Sequence, residues 1–136
     1  MDCPFCLVDG GALLWMDARC RIVLADEPGY PGFCRVIWNS HVREMSDLNA
    51  QDQAHCLQVV LAVERAQRAV MAPIKINLAC FGNLVPHLHW HIIPRFADDP
   101  HFPQPAWGER QRSCTTQRAG SDAATLSAAI AAELHS

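Results

Sequence analysis

The chain has 136 residues, half of them apolar and 18 % charged, with a formal net charge of −3. That is one domain's worth of chain, 1–136, with the composition of an ordinary soluble globular protein. Ten arginines and a single lysine, Lys75, form no basic run, which counts against a nucleic-acid duplex partner, and no stretch approaches the roughly 18 apolar residues of a membrane span.

Taken in order, the chain opens on Met1-Asp2-Cys3-Pro4, which has no positive segment leading into an apolar one, so no secretory signal is expected. Seven cysteines is an odd number for a disulfide scaffold, and reduced thiols in a cytoplasmic protein are the better reading. Cys3-x-x-Cys6 has zinc-ligand spacing but is half a site by itself. Its plain alternative is two reduced thiols; a thioredoxin-like pair fits less well, because no βαβ pattern surrounds it. Asp9-Gly10-Gly11 signals a turn, and the apolar runs Ala12 to Met16 and Arg21 to Ala25, parted by Asp17-Ala18-Arg19, predict a β-hairpin. Pro28-Gly29-Tyr30-Pro31-Gly32 is a loop, and Phe33 to Asn39 reads as a third strand ending at Ser40-His41.

A long helix follows, with Asn49 as its N-cap and Asp52 in the first turn. Ala54, Leu57 and Leu61, with Val60, Val63 and Val70, recur at steps of three and four and predict one apolar face. Met71-Ala72-Pro73 ends it, since a proline disfavours helical geometry in the residue before it. Lys75 to Phe81 reads as a strand, Gly82-Asn83 as a turn, and Leu88 to Pro94 as a fifth strand. Asp98 to Pro105 holds three prolines and excludes regular structure, whereas the alanine-rich 121–135 predicts a helix capped by Ser121 or Asp122. Cys20, Cys34, Cys56 and Cys80 fall in apolar runs and read as core residues. Arg95 is read either as a phosphate ligand or as a solvated side chain; Trp107 could stack on a base or close over a pocket, but surface packing is the commoner explanation and it is left out of the site. His55, His101 and His135 carry no pattern.

The chemistry concentrates in Val85-Pro86-His87-Leu88-His89-Trp90-His91-Ile92-Ile93-Pro94-Arg95. A strand's side-chain period of two puts His87, His89 and His91 on one face and Leu88, Trp90 and Ile92 on the other. Neighbouring Cα atoms in such a row are about 6.6–6.8 Å apart, so one ion is shared by a pair at most, and the row fits a working surface better than a chelate. Neutral imidazole is a nucleophile and its protonated form a general acid. Such a row can attack phosphorus, donate to a phosphoryl oxygen and protonate a leaving group. The bland alternative is three satisfied histidines on a partly exposed strand.

His87-Leu88-His89-Trp90-His91-Ile92-Ile93 resembles the motif of the histidine-triad (HIT) superfamily. Pro31-Gly32 before the third strand, His41-Val42 after it, Asp47-Leu48 ahead of the helix, and Asn77 and Gly82-Asn83 ahead of the triad are similar to that family's order. The resemblance covers residues 3–95, with 96–136 a loosely matched proline-rich loop and C-terminal helix. It implies an α+β fold: an antiparallel sheet of about five strands with one long helix packed on it, usually in a homodimer. It further implies cleavage of nucleotides at the α-phosphate, of dinucleoside polyphosphate or nucleoside phosphoramidate type. His89 would be the nucleophile, His91 would assist the leaving group, and His87 would complete the triad. Asn77 and Asn83 would be donors around the phosphate, and an acidic residue, Asp26 or Glu27, would hold the ribose. In branches with an N-terminal cysteine pair the resemblance implies a structural zinc on Cys3, Cys6, His41 and His87. The short loop to Gly82-Asn83, an asparagine where glutamine is common, and Pro86 depart from the pattern and bear on leaving-group preference. Two competing readings are a zinc-dependent hydrolase using a histidine pair such as His89 and His91, and a nucleotide-binding regulatory module with little turnover.

Overall fold

A computed structural model describes residues 3–113 and 117–135. Its core is a five-stranded, wholly antiparallel sheet in the order β1-β2-β3-β5-β4, made of β1 (Ala12–Met16), β2 (Cys20–Leu24), β3 (Cys34–Trp38), β4 (Lys75–Ala79) and β5 (His89–Arg95). Hairpin, third strand and final pair lie within a residue or two of their predicted places. Two short elements are additional: a 3-10 turn over Met45–Asp47, and a single turn of helix, α1 (Pro4–Leu7), started by Pro4, whose missing N–H costs nothing at a helix N-terminus.

The long helix α2 (Ala50–Met71) begins where Asn49 Oδ1 accepts the Asp52 N–H at 2.9 Å. It ends at Ala72, in the left-handed conformation, just before Pro73. The C-terminal helix α3 (Ala123–Leu134) is capped by Asp122 and packs on α2 and β1. Both helices cover one sheet face, burying Cys20, Ile22, Cys34, Val36, Leu88 and Ile92 against Cys56, Val59, Val60, Val63, Leu126 and Ile130. Leu88 and Ile92 point into this core as the alternation requires, with Trp90 packed at its margin.

The buried face of α2 differs from the sequence reading. Cys56, Val59, Val60, Val63, Ala66 and Gln67 are buried, while Leu57 and Leu61 remain 42 % and 43 % exposed. Those two leucines lie about 100° round the helix from Cys56 and Val60. They fall on the same helical stripe as Glu64 and Arg68, which line a cavity with β4, an edge strand of the sheet among the described residues. Cys80 is likewise exposed rather than core, whereas Cys20, Cys34 and Cys56 are buried. Cys114 lies outside the described residues.

Gln67 ties the layers together: its buried Nε2 donates to the carbonyls of Gly32 and Ile92, each at 2.9 Å. Gly32 has φ +85°, and a Cβ there would stand 2.4 Å from Met71 Sδ, so the Pro31-Gly32 turn tolerates only glycine. No helix among the described residues is long and apolar enough to cross a membrane.

Candidate active site

The helix-free face of the sheet carries Arg21 and Val23 from β2, Arg35 and Ile37 from β3, and His89, His91, Ile93 and Arg95 from β5. The β3–β5 register sets Ile37 opposite His89 and Arg35 opposite His91. Two further segments build walls on this face. Residues 3–10 fold back across it, held by Arg21, whose guanidinium donates to the carbonyls of Phe5, Val8 and Asp9 and to Asn39 Oδ1. On the other side runs the loop after β5, organised by a buried ion pair. Asp99 accepts from Arg95 Nε at 2.7 Å and Nη2 at 3.0 Å, and from the N–H groups of Phe96, His101 and Phe102. Burial would raise the Asp99 carboxyl, but those bonds and the Arg95 charge bring it down to about 2.

Between the walls lies a cleft of about 500 Å³ floored by His89, His91 and Arg35 and sided by Phe5, Phe81 and Trp107. Phe5 meets the His89 ring edge-on at 4.8 Å, and Trp107 meets His91 at 5.2 Å and Phe81 at 4.7 Å. The His89 and His91 rings are themselves perpendicular at 4.8 Å.

The triad is not a uniform row. β5 begins at His89, and His87, just before it, is buried outside the cleft. Its Nε2 donates to the Trp38 carbonyl at 2.5 Å, so its Nδ1 carries the lone pair. His89 Nδ1 donates to the His87 carbonyl at 2.7 Å, which by the same logic leaves Nε2 unprotonated. Burial, with the nearby Arg35 charge and the His87 ring, holds the His89 pKa below the ordinary imidazole value, against the pull of that carbonyl. His91 is pushed further, to about 4, by burial first and by His89 and Arg35 next. Its Nδ1 is buried with no partner among the described residues.

His87 Nδ1 faces three other donors. It stands 3.3 Å from Cys3 Sγ, 3.5 Å from Cys6 Sγ and 3.2 Å from His41 Nδ1, and Cys6 Sγ is 3.4 Å from His41 Nδ1. A tetrahedral zinc with bonds of about 2.0–2.3 Å spaces its donors about 3.3–3.8 Å apart, so this set fits that ion. The four side chains are the ones the family resemblance put forward.

The remaining candidates divide. Asn83 lines the cleft; Asn77 does not, because its Oδ1 accepts from Arg95 Nη1 at 2.8 Å. Asp26 lines a different cavity with Gly11, Arg110 and Ser121, while its neighbour Glu27 also reaches the space beside His91 and Arg35. Successive side chains of an extended segment point opposite ways, and the next residue is the one that turns toward the triad. Arg95 is neither solvated nor a cleft residue, at 2 % exposure. His55 and His101 are both engaged, with Asp17 Oδ2 at 2.7 Å and the Tyr30 hydroxyl at 2.6 Å. Sequence reasoning passed over Arg35, Phe5 and Phe81, and set Trp107 aside as surface packing, whereas it lines the cleft. A lone charge inside the apolar run Phe33 to Trp38 was the available signal for Arg35; the aromatics had none, since their partners are distant in the chain.

The HIT domain profile matches residues 11–98. Among solved structures, the chain is similar to a histidine triad protein from Bradyrhizobium japonicum, with 27 % identity over 95 % of this chain and 92 % of that one, TM-score 0.71. A histidine triad protein from Marinobacter aquaeolei matches at 26 % over 93 % and 90 %, TM-score 0.72. A zinc-bound histidine triad family protein from Mycobacterium smegmatis matches at 23 % over 97 % and 95 %, TM-score 0.68. No curated protein matches.

Proposed function

Because the chain belongs to the HIT family, a superfamily of nucleotide-binding hydrolases and transferases, we propose that it cleaves nucleotides at the α-phosphate through a covalent nucleotidyl-histidine on His89. One observation carries this reading: the His87 carbonyl fixes the His89 tautomer, leaving a neutral Nε2 lone pair on a ring that floors the cleft. In the first step Nε2 attacks phosphorus as the bond to the leaving group breaks, and the departing atom takes the electron pair and the proton held by His91. In the second, water attacks the same phosphorus and passes a proton to His91, the N–P bond breaks, and the lone pair returns to His89. Dividing one displacement into two is the gain of such a nucleophile.

His91 is neutral at pH 7, with an unpartnered ring nitrogen beside the reaction centre. An anionic phosphoryl group raises its proton affinity, so its role is to hold a proton between phosphoryl oxygen and leaving group. Asn83 offers an amide donor from the cleft's rim. The aromatic sides, Phe5, Phe81 and Trp107, suit a base or a flat leaving moiety, in keeping with dinucleoside polyphosphates or nucleoside phosphoramidates.

Cys3, Cys6, His41 and His87 are the residues to hold zinc, and the zinc-bound M. smegmatis relative supports that assignment. When bound, the ion supplies a structural clamp. The chain's own contribution is that His87, clamped there, presents the carbonyl that orients His89. The alternative of a hydrolytic metal on His89 and His91 has less support: among the described residues neither joins a group of three ligand atoms.

The reading extends to a cytoplasmic homodimer acting on small nucleotides, with 1–136 as one domain. The unpaired outer edge of β4, flanked by exposed Leu57, Leu61, Ile74 and Leu78, supports the pairing of two copies; a monomer by sedimentation at micromolar concentration would overturn that part. For the chemistry, intact mass after rapid acid quench should show one nucleotidyl adduct on the wild type and none on His89→Ala. No adduct with either substrate class would reject it.

A further inference from the structure

Three arginines share the cleft face, and two are saturated. Arg21 meets four acceptors, and Arg95 is filled by Asp99, Asn77 and the Gln104 carbonyl. Arg35 is different. Its one bond among the described residues is from Nη1 to the Gly10 carbonyl at 3.1 Å, its Nε is buried without an acceptor, and no carboxylate lies within 4.0 Å. The Phe33 ring, 5.7 Å from its Cζ, fixes where the guanidinium rests. A half-buried guanidinium with one donor buried and unmet, and others facing an open cleft, is placed to complete its bonding on an anion.

Its place says which anion. Arg35 is directly opposite His91 in the β3–β5 ladder and lines two adjoining spaces. One is the cleft of His89 and His91; the other, of about 250 Å³, is bounded also by Glu27, His101, Trp107 and Arg110. Among the described residues Glu27 is the only acidic group around that second space; it is exposed and its charge is felt by Arg35, but it forms no ion pair with it within 4.0 Å. The two spaces share Arg35, His91 and Trp107, so a group bonded to a phosphorus held over His89 and His91 would have room in the second one, beside the guanidinium. The planar fork of arginine matches phosphate oxygens two at a time.

We propose that Arg35 forms an anion subsite for the phosphate next to the one under attack, so that the enzyme prefers polyphosphate nucleotides to substrates with an uncharged leaving group. The proposal rests on the nucleotidyl-transfer reading for its meaning, but its test does not. Inorganic pyrophosphate is titrated calorimetrically into wild type, Arg35→Leu, Arg35→Gln and Arg35→Lys. Wild type should bind, more weakly as salt rises. Leu and Gln should each lose at least tenfold, and Lys, a point charge, should fall between. Having both Leu and Gln guards against one variant failing to fold. No binding by wild type, or neutral variants within twofold of it, overturns the proposal. A His89 adduct with Arg35-independent pyrophosphate binding rejects the subsite and keeps the nucleophile; Arg35-dependent binding without an adduct does the reverse.

Discussion

Replacing Asp99 by Asn should destabilise the fold by about 3–5 kcal/mol, the range for removing one partner from a buried ion pair. The substitution keeps the shape and deletes one charge, which leaves the Arg95 guanidinium, itself 2 % exposed, without its counter-ion. It also converts one acceptor oxygen into a donor facing the N–H groups that Asp99 now satisfies at Phe96, His101 and Phe102. A second magnitude comes from linkage. The folded carboxyl titrates at about 2 against an ordinary value near 3.9, so it contributes about 2.5 kcal/mol that is fully present above pH 4 and lost as pH falls through 2. Urea unfolding at pH 7 measures the first quantity, and the difference between wild type and variant from pH 2 to 5 measures the second. A domain of this size commonly has 5–15 kcal/mol in hand, so the variant should still fold. A loss under 1 kcal/mol, or a gap between the two proteins that does not narrow in acid, would refute the account of the loop as an ion-pair construction.

The depressed imidazole of His91 predicts a pH effect of the same sign. Its folded pKa of about 4 lies below the unfolded 6.5, so its contribution, about 3 kcal/mol, is complete above pH 6.5 and disappears as pH falls to 4. Wild type should therefore lose more stability across that interval than His91→Gln, and parallel melting curves would contradict it. The cysteine cluster is tested by metal analysis: wild type should hold about one zinc per chain and a Cys3→Ser, Cys6→Ser variant none. At free zinc a hundredfold above Kd the linkage is worth about 2.7 kcal/mol, so the variant should melt on the order of 10 °C lower. Equal melting points with zinc present would remove the clamp from the scheme.

What was legible beforehand is what depends on neighbours in sequence. Alternation placed β5 and sent Leu88 and Ile92 to the core, Asn49 announced the start of α2, and Pro73 its end. The Cys3, Cys6, His41 and His87 set was legible only through family resemblance, since nothing in the spacing joins position 3 to position 87. What stayed hidden depends on tertiary arrangement. Leu57 and Leu61 look like core until the position of β4 shows that the helix turns them past its edge. Arg95 resembles a ligand until Asp99, four residues on, curls back to neutralise it. Asp26 and Glu27 differ only in which way an irregular segment faces, and Trp107 reaches the cleft because a buried carboxylate gathers a loop that has no periodicity to read.

The fold-back of residues 3–10 has a practical side. Phe5 meets the His89 ring edge-on, and Gly10 carries the carbonyl that accepts from Arg35, so residues 5–10 are part of the cleft itself. Affinity handles, fluorophores or proteolytic trimming near Pro4 should therefore reshape the cleft with every imidazole intact. Labels are better attached beyond α3, on the far side of the sheet.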